Sequence, residues 1–337
     1  MSPSVRLAID VMGGDFGPRC IVPAIARSLS RLPQLDVILV GAEPALQSAL
    51  AACPLPAERV SFRYTSEVIL ADDPPASVLR RKTDASMRVA LELVRDGQAA
   101  GCLSAGNTGA LMVLSRSILG TLPGVDRPAF MAALPVAGKA CYLLDLGANV
   151  DCTADQLFTF AIMGSVAVSE LAGMPAPRVG LLNIGTELHK GSQRVREVAE
   201  RLHNCPQLNY VGSVEGDGLF RDQADVVVCD GFVGNVVLKA SEGLADYLQE
   251  EMRRSLDQQP LMRWLAPLLR RVIAPVRERH DPALHNGASL LGLRGVVVKS
   301  HGAATERAFA AAIERACLIS QAGLPQRIAE RLAGSGL

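Results

Sequence analysis

Val5-Arg6-Leu7-Ala8-Ile9-Asp10-Val11-Met12-Gly13-Gly14-Asp15-Phe16-Gly17-Pro18 begins as an apolar run and stops at a glycine-rich turn. The run is near-continuous in Val, Leu and Ile instead of alternating, as a strand covered on both faces should be. The same pattern recurs at 36–41, 59–64, 100–104, 141–146, 178–184, 208–214, 225–229 and 295–300. Between these runs, apolar residues recur every three or four positions, for example over 84–95, 107–119, 154–171, 194–202 and 305–318. Strand–helix alternation predicts an α/β chain with a mostly parallel sheet between helical layers, organised as one domain over 1–337. Only 235–280 breaks the rhythm: it has helical pattern, no strand, and Pro260, Pro267 and Pro275 as punctuation. A protruding helical segment over about 236–280 is expected there.

Composition narrows the function. The 337 residues carry 34 Lys and Arg against 34 Asp and Glu, so a general nucleic-acid field is not expected. No apolar run is long enough to span a bilayer, and Arg6 and Asp10 interrupt the first one, so no signal peptide is expected. The eight cysteines include no C-x-x-C pair and mostly sit in apolar strings, which suits small buried hydrophobes in a reduced cytoplasmic protein. Five histidines without H-E-x-x-H spacing or a cysteine cluster give no zinc site.

In an open parallel sheet, ligands bind beyond the carboxyl ends of the strands. Six such ends carry glycine with a polar residue: Asp10–Pro18; Ala105-Gly106-Asn107-Thr108-Gly109; Asp145-Leu146-Gly147-Ala148-Asn149; Asn183-Ile184-Gly185-Thr186-Glu187 with Lys190; Asp230–Asn235; and Lys299-Ser300-His301-Gly302. One such loop is ordinary turn and capping chemistry. Six meeting on one sheet edge predict an anion-binding cleft. Neither G-x-x-x-x-G-K-[ST] nor G-x-G-x-x-G is present, and no G-x-S-x-G elbow supplies a serine nucleophile. The chemistry therefore rests on positioned dipoles and a few cations.

These loops carry a resemblance. The blocks 8–15, 104–112, 144–152, 183–191, 225–243 and 292–302 resemble the phosphate acyltransferase (PlsX) family, whose members transfer a fatty acyl group from acyl carrier protein to inorganic phosphate. The resemblance implies a three-layer α/β/α fold similar to isocitrate dehydrogenase and phosphotransacetylase, a homodimer, and no cofactor. It also implies an acyl phosphate product used by a membrane glycerol-3-phosphate acyltransferase in phospholipid synthesis.

Phosphate is itself a nucleophile, so the protein must hold it, align it with a thioester carbonyl and stabilise the oxyanion. Lys190, a point cation after a Gly-Thr-Glu turn, and Asn235, which follows Gly231 and Gly234, are the expected catalytic residues. The bland alternatives are a solvated lysine in a first helical turn and a plain helix cap; the resemblance favours function for both. Substrate binding is expected from Asp10, Gly13, Gly14 and Asp15, from Gly106, Asn107, Thr108 and Gly109, from Asn149, from Gly185, Thr186 and Glu187, and from His301 and Gly302. Asp10 and Asp15 without further ligands read as turn and helix caps, not as a metal site. Arg80, Arg81 and Lys82 are the candidate surface for an acidic carrier protein. The competing readings are a phosphotransacetylase-like enzyme using acyl-CoA and a non-catalytic scaffold at the membrane.

Beyond Pro260, the apolar residues Leu261, Trp264, Leu265, Leu268 and Leu269 continue a helical stripe, flanked by seven arginines between 253 and 279. An apolar stripe with tryptophan among arginines suits an anionic bilayer surface, so reversible membrane contact is expected there. The alternative is a hairpin buried in a dimer.

Overall fold

The computed structural model describes residues 4–136, 139–187, 189–258 and 282–334. The strands are β1 (Val5–Asp10), β2 (Leu35–Gly41), β3 (Val60–Tyr64), β4 (Gly101–Ser104), β5 (Ala129–Val136), β6 (Lys139–Leu144), β7 (Arg178–Leu182), β8 (Asn209–Val214), β9 (Val226–Val228), β10 (Ala288–Leu291) and β11 (Val296–Lys299). They form one sheet in the order β3-β2-β1-β4-β11-β10-β5-β6-β9-β7-β8.

Alternate residues of the central strands feed two cores. Leu7, Ile9, Val296 and Val298 face one side, and Ala8, Val297, Phe130 and Leu134 the other. The first core is covered by α1 (Pro18–Arg31), α2 (Glu43–Ala52), α6 (Ala154–Ala172), α7 (Gln193–His203), α9 (Glu306–Gln321) and α10 (Leu324–Ala333). The second is covered by α3 (Pro75–Arg81), α4 (Ser86–Arg95), α5 (Thr108–Leu119) and the early turns of α8 (Gly231–Asp257). This is a three-layer α/β/α arrangement, and near-continuous apolar strands are what burial on both faces requires. The sheet's two edge strands differ: β3 is mostly exposed, and Phe62 stacks on Tyr64 at 6.2 Å along it.

Helix starts follow local chemistry. Thr153 and Gln156 form a reciprocal capping box on α6, and Ser192 and Thr305 cap α7 and α9. Polar caps close the orphan N–H groups that each helix would otherwise leave bare.

Two strands escape the apolar-run reading, and they change the geometry of the site. β10 runs antiparallel to both β11 and β5, and β5 runs antiparallel to β6. Three reversals make the block β3-β2-β1-β4-β11 and the block β6-β9-β7-β8 parallel within themselves but opposite to each other. The six polar loops therefore do not share one edge. Three lie at the carboxyl ends of the first block and three at the opposite edge, at the carboxyl ends of the second. The expected helical segment starts earlier than 236, as the single helix Gly231–Asp257; its continuation over 259–281 lies outside the described residues.

Candidate functional site

At the first edge the organising group is Asp10, a carboxylate 2 % exposed at the end of β1. It accepts from Ser86 Oγ at 2.7 Å, from Ser104 Oγ at 2.6 Å and from the Met12 N–H at 3.2 Å. Burial pushes its carboxyl up, and these donors oppose the shift. Ser104 Oγ also accepts from the Gly106 N–H at 3.0 Å, so one hydroxyl links the strand end to the next turn. Gly14 has φ +81° and lies so close to Gly302 that a Cβ would meet its carbonyl at 2.9 Å. The Asp15 N–H donates to that same carbonyl, which joins the loops after β1 and β11.

Asn107 caps α5 through Oδ1, which accepts from the Ala110 N–H, and its Nδ2 donates to Ala71 O at 2.8 Å. Its whole side chain is thereby committed to protein. Thr108 is exposed, and the N–H groups of Thr108 and Gly109 have no partner among the described residues. His301 is exposed, and its Nδ1 accepts from the Ala303 N–H at 3.2 Å. Lys299 was not among the sequence candidates. Its Nζ donates to Ala105 O at 3.3 Å and to Ser300 O. Burial brings its ammonium down to about 8.

At the opposite edge Asp145 plays the corresponding part. Its fully buried carboxylate accepts from the N–H groups of Phe130, Ala148 and Asn149 and from Asn149 Nδ2. Burial raises its carboxyl against these donors. Asn149 Nδ2 also donates to Pro128 O at 2.8 Å, while its Oδ1 is buried without a partner among the described residues. The first turn of α8 presses on this loop: the Gly231 N–H donates to Asn149 O at 2.7 Å, and Asp230 Oδ1 accepts from the Val233 N–H.

Asn235 follows one turn into α8, beside Gly147. It is exposed, and its amide has no partner among the described residues. Lys190 stands two residues before the cap Ser192, outside the helix and not in its first turn. It is half-buried, and its Nζ has no partner among the described residues. Thr186 and Glu187 are exposed beside the buried Gly185 in the same loop. Arg194 ties this loop region to the other: it pairs with Asp151 and reaches Asp230 Oδ2 at 3.5 Å.

The structure thus gathers the candidates into two sets. Asp10, Gly13, Gly14, Asp15, Gly106, Asn107, Thr108, Gly109, His301 and Gly302 stand at one edge. Asn149, Gly185, Thr186, Glu187, Lys190 and Asn235 stand at the other. Helix α8 runs between them, starting at the second edge and carrying Lys239, one turn beyond Asn235, into the field of Lys299. Ser86, Arg194 and Lys239 were not singled out in the sequence, and Asp145 and Lys299 stood there only as members of their loops, because their importance depends on contacts across the fold. Lys82 is not a free charge: it donates to Val68 O and pairs with Asp73. Leu261, Trp264, Leu265, Leu268 and Leu269 lie outside the described residues. Among the described residues no helix is long and apolar enough to cross a membrane.

Comparison with known proteins agrees with this architecture. A family profile described as "Fatty acid synthesis protein" matches residues 5–327. A phosphate acyltransferase of Ectopseudomonas mendocina is 53% identical over 337 residues, covering 98% of each chain. Another from Halorhodospira halophila is 48% identical, covering 99% of each. Among solved structures, a phosphotransacetylase from Streptococcus pyogenes aligns over 96% of this chain and 94% of its own, with TM-score 0.63 and 20% identity. The EutD phosphotransacetylase from Staphylococcus aureus aligns over 96% and 94%, with TM-score 0.58 and 17% identity. At those identities the two structures speak for the fold alone.

Proposed function

The chain belongs to the phosphate acyltransferase family, and from that premise we propose that it transfers a long-chain fatty acyl group from acyl carrier protein to inorganic phosphate. The observation that carries this reading is the pair Lys190 and Asn235. A half-buried ammonium and an exposed amide, neither with a partner among the described residues, stand on one sheet edge, their loops joined by Arg194 and Asp230. An unpaired cation suits phosphate, and an unpaired N–H donor suits the oxygen that becomes negative during attack.

In this mechanism a phosphate oxygen attacks the thioester carbonyl carbon, and the C–O bond to phosphate forms. The carbonyl oxygen becomes a tetrahedral oxyanion facing Asn235 Nδ2. Collapse restores the carbonyl, breaks the C–S bond and releases the carrier thiolate, which takes its proton from solvent. No covalent acyl-enzyme is required, and no step calls for a cofactor.

The acidic carrier docks, on this reading, against Arg80 and Arg81. Both are exposed in the last turn of α3, whose Pro75 lies against Gly109 at the start of α5. The exposed apolar side chains Leu244, Tyr247, Leu248 and Met252 of α8 support a homodimer in which a second copy of the chain covers them. The stripe around Trp264 contacts an anionic membrane, where a glycerol-3-phosphate acyltransferase consumes the acyl phosphate for phospholipid synthesis.

The test is mass-spectrometric detection of acyl phosphate after mixing protein, phosphate and a thioester donor. The expected result is acyl phosphate formed faster from the carrier-protein thioester than from acyl-CoA at matched concentration. Equal or faster use of acyl-CoA overturns the donor assignment. No product from either donor overturns acyl transfer and favours a scaffold.

A further inference from the structure

Lys299 is a cation in an unexpected place. It ends β11 on the sheet face that α4, α5 and α8 cover, with Val297 of the same strand in that core. Its Nζ donates to two backbone carbonyls, Ala105 O and Ser300 O, and it makes no ion pair among the described residues. Lys299 is half-buried; withdrawing an ammonium from water without a carboxylate partner is costly, and an ammonium has three protons to place. Two are accounted for.

The surroundings supply further positive character. Lys239 of α8 adds its positive charge to the field at Lys299, and its own Nζ donates to Glu242 Oε2 at 2.7 Å. The start of α5 follows the Ala105 carbonyl that Lys299 holds and leaves the N–H groups of Thr108 and Gly109 free of protein partners among the described residues. The carboxylates in range are Asp10, occupied by Ser86, Ser104 and Met12, and Asp15, exposed on the loop after β1. Glu242, the acid of α8 nearest Lys239 in the chain, is engaged by Lys239.

We propose that Lys299, with Lys239 contributing its charge from α8, holds a phosphate group of a substrate against the start of α5, as a second anion-binding point of the acyl-transfer site. The proposal rests on the acyl-transfer reading above and extends it. Lys190 and Asn235 stand at one edge, and Lys299 belongs to the other. Helix α8 carries Asn235 and Lys239 one turn apart and so spans the two. The phosphate concerned is either the attacking inorganic phosphate or the phosphodiester of the carrier's thioester arm, and the chemistry of recognition is the same for both. A bound dianion would also supply the charge partner that the half-buried ammonium lacks, so binding should weaken as Lys299 loses its proton above about pH 8.

The test uses Lys299→Gln, Lys299→Arg and Lys239→Gln in the full chain, with KM measured for inorganic phosphate and two donors. One donor is the acyl carrier protein thioester, and the other is an N-acetylcysteamine thioester, which has no phosphate. Equilibrium dialysis of radiolabelled inorganic phosphate gives a reading independent of turnover. Lys299→Gln should raise KM or Kd for one phosphate-bearing substrate by about tenfold or more, the scale of one charge-assisted contact. A rise for inorganic phosphate with either donor assigns the point to the nucleophile. A rise confined to the carrier-protein thioester assigns it to the carrier arm. Lys239→Gln should move the same constant in the same direction. Lys299→Arg should keep binding and shift the alkaline weakening upward. The proposal is overturned if Lys299→Gln and Lys239→Gln leave every KM and Kd within about twofold of wild type, or if kcat alone falls. Should Lys299→Gln not fold, Lys239→Gln and the pH profile of Lys299→Arg decide the matter. A wild-type protein that makes no acyl phosphate refutes the acyl-transfer reading, and phosphate dialysis still decides the anion site.

Discussion

Gly234 lies over the carbonyl of Asp145 so closely that a Cβ there would fall 1.9 Å from that oxygen. The first turn of α8 is thus seated directly on the loop after β6, and only glycine permits the approach. Gly234→Ala should force the two apart and lower stability by about 1–3 kcal/mol, the usual cost of overpacking. Gly243, farther along the same helix, has nothing within 4 Å of the corresponding position. Gly243→Ala should therefore stabilise by up to ~1 kcal/mol through helix propensity. Denaturant midpoints of the two variants should move in opposite directions.

The Asn149 side chain donates to Asp145 and to Pro128 O, both inside the protein. Asn149→Ala removes both donors and leaves two buried acceptors short of a partner. A loss of about 1–3 kcal/mol is expected in chemical unfolding. An unchanged unfolding midpoint would mean that Asn149 is not holding this loop.

Asp225 is 6 % exposed and accepts from Arg178 Nε and Nη2, from the Arg178 N–H and from Lys139 Nζ. Hydrogen bonding to Arg178 above all holds its carboxyl far below the usual carboxylate range. A carboxyl depressed on folding contributes stability that is complete above its unfolded pKa and is lost as pH falls below it. Asp225→Asn should therefore cost about 2–4 kcal/mol at pH 7. The gap from wild type should narrow as pH drops below about 4. Unfolding curves of both proteins between pH 7 and 3 check this, and a gap independent of pH would contradict it.

The arginine-flanked stripe predicts co-sedimentation with anionic liposomes, weaker in high salt. Leu265→Glu with Leu268→Glu should release the protein while acyl transfer in solution continues. A double variant that stays bound removes the membrane assignment.

Much of this fold was legible in the apolar runs, since strands buried on both faces and the helices between them leave distinct periodicities. Strand direction was not. It turns on Ala129–Val136, an alanine-rich stretch containing Pro135, and on the four residues Ala288–Leu291, neither of which reads as a strand alone. Without those two, six polar loops fall on one edge; with them, they divide between two. The loop candidates were visible because glycine beside a polar residue marks a strand end. Lys299 was not singled out in the same way, because its character comes from β11 lying beside β4 and from the burial this imposes. Ser86 and Ser104 meet Asp10 across 76 and 94 positions of chain, a separation that no local pattern reports.

The central claim is that Lys190 and Asn235 stabilise attack of phosphate on the thioester. The direct measurement is the single-turnover rate of acyl phosphate formation from acyl carrier protein thioester, with saturating phosphate, in folded Lys190→Ala and Asn235→Ala. Each variant should be slower than wild type by about 100- to 1,000-fold, the scale of one transition-state contact in a preorganised site. A near-wild-type rate in either folded variant would contradict the claim for that residue, and near-wild-type rates in both would remove the site from this edge of the sheet.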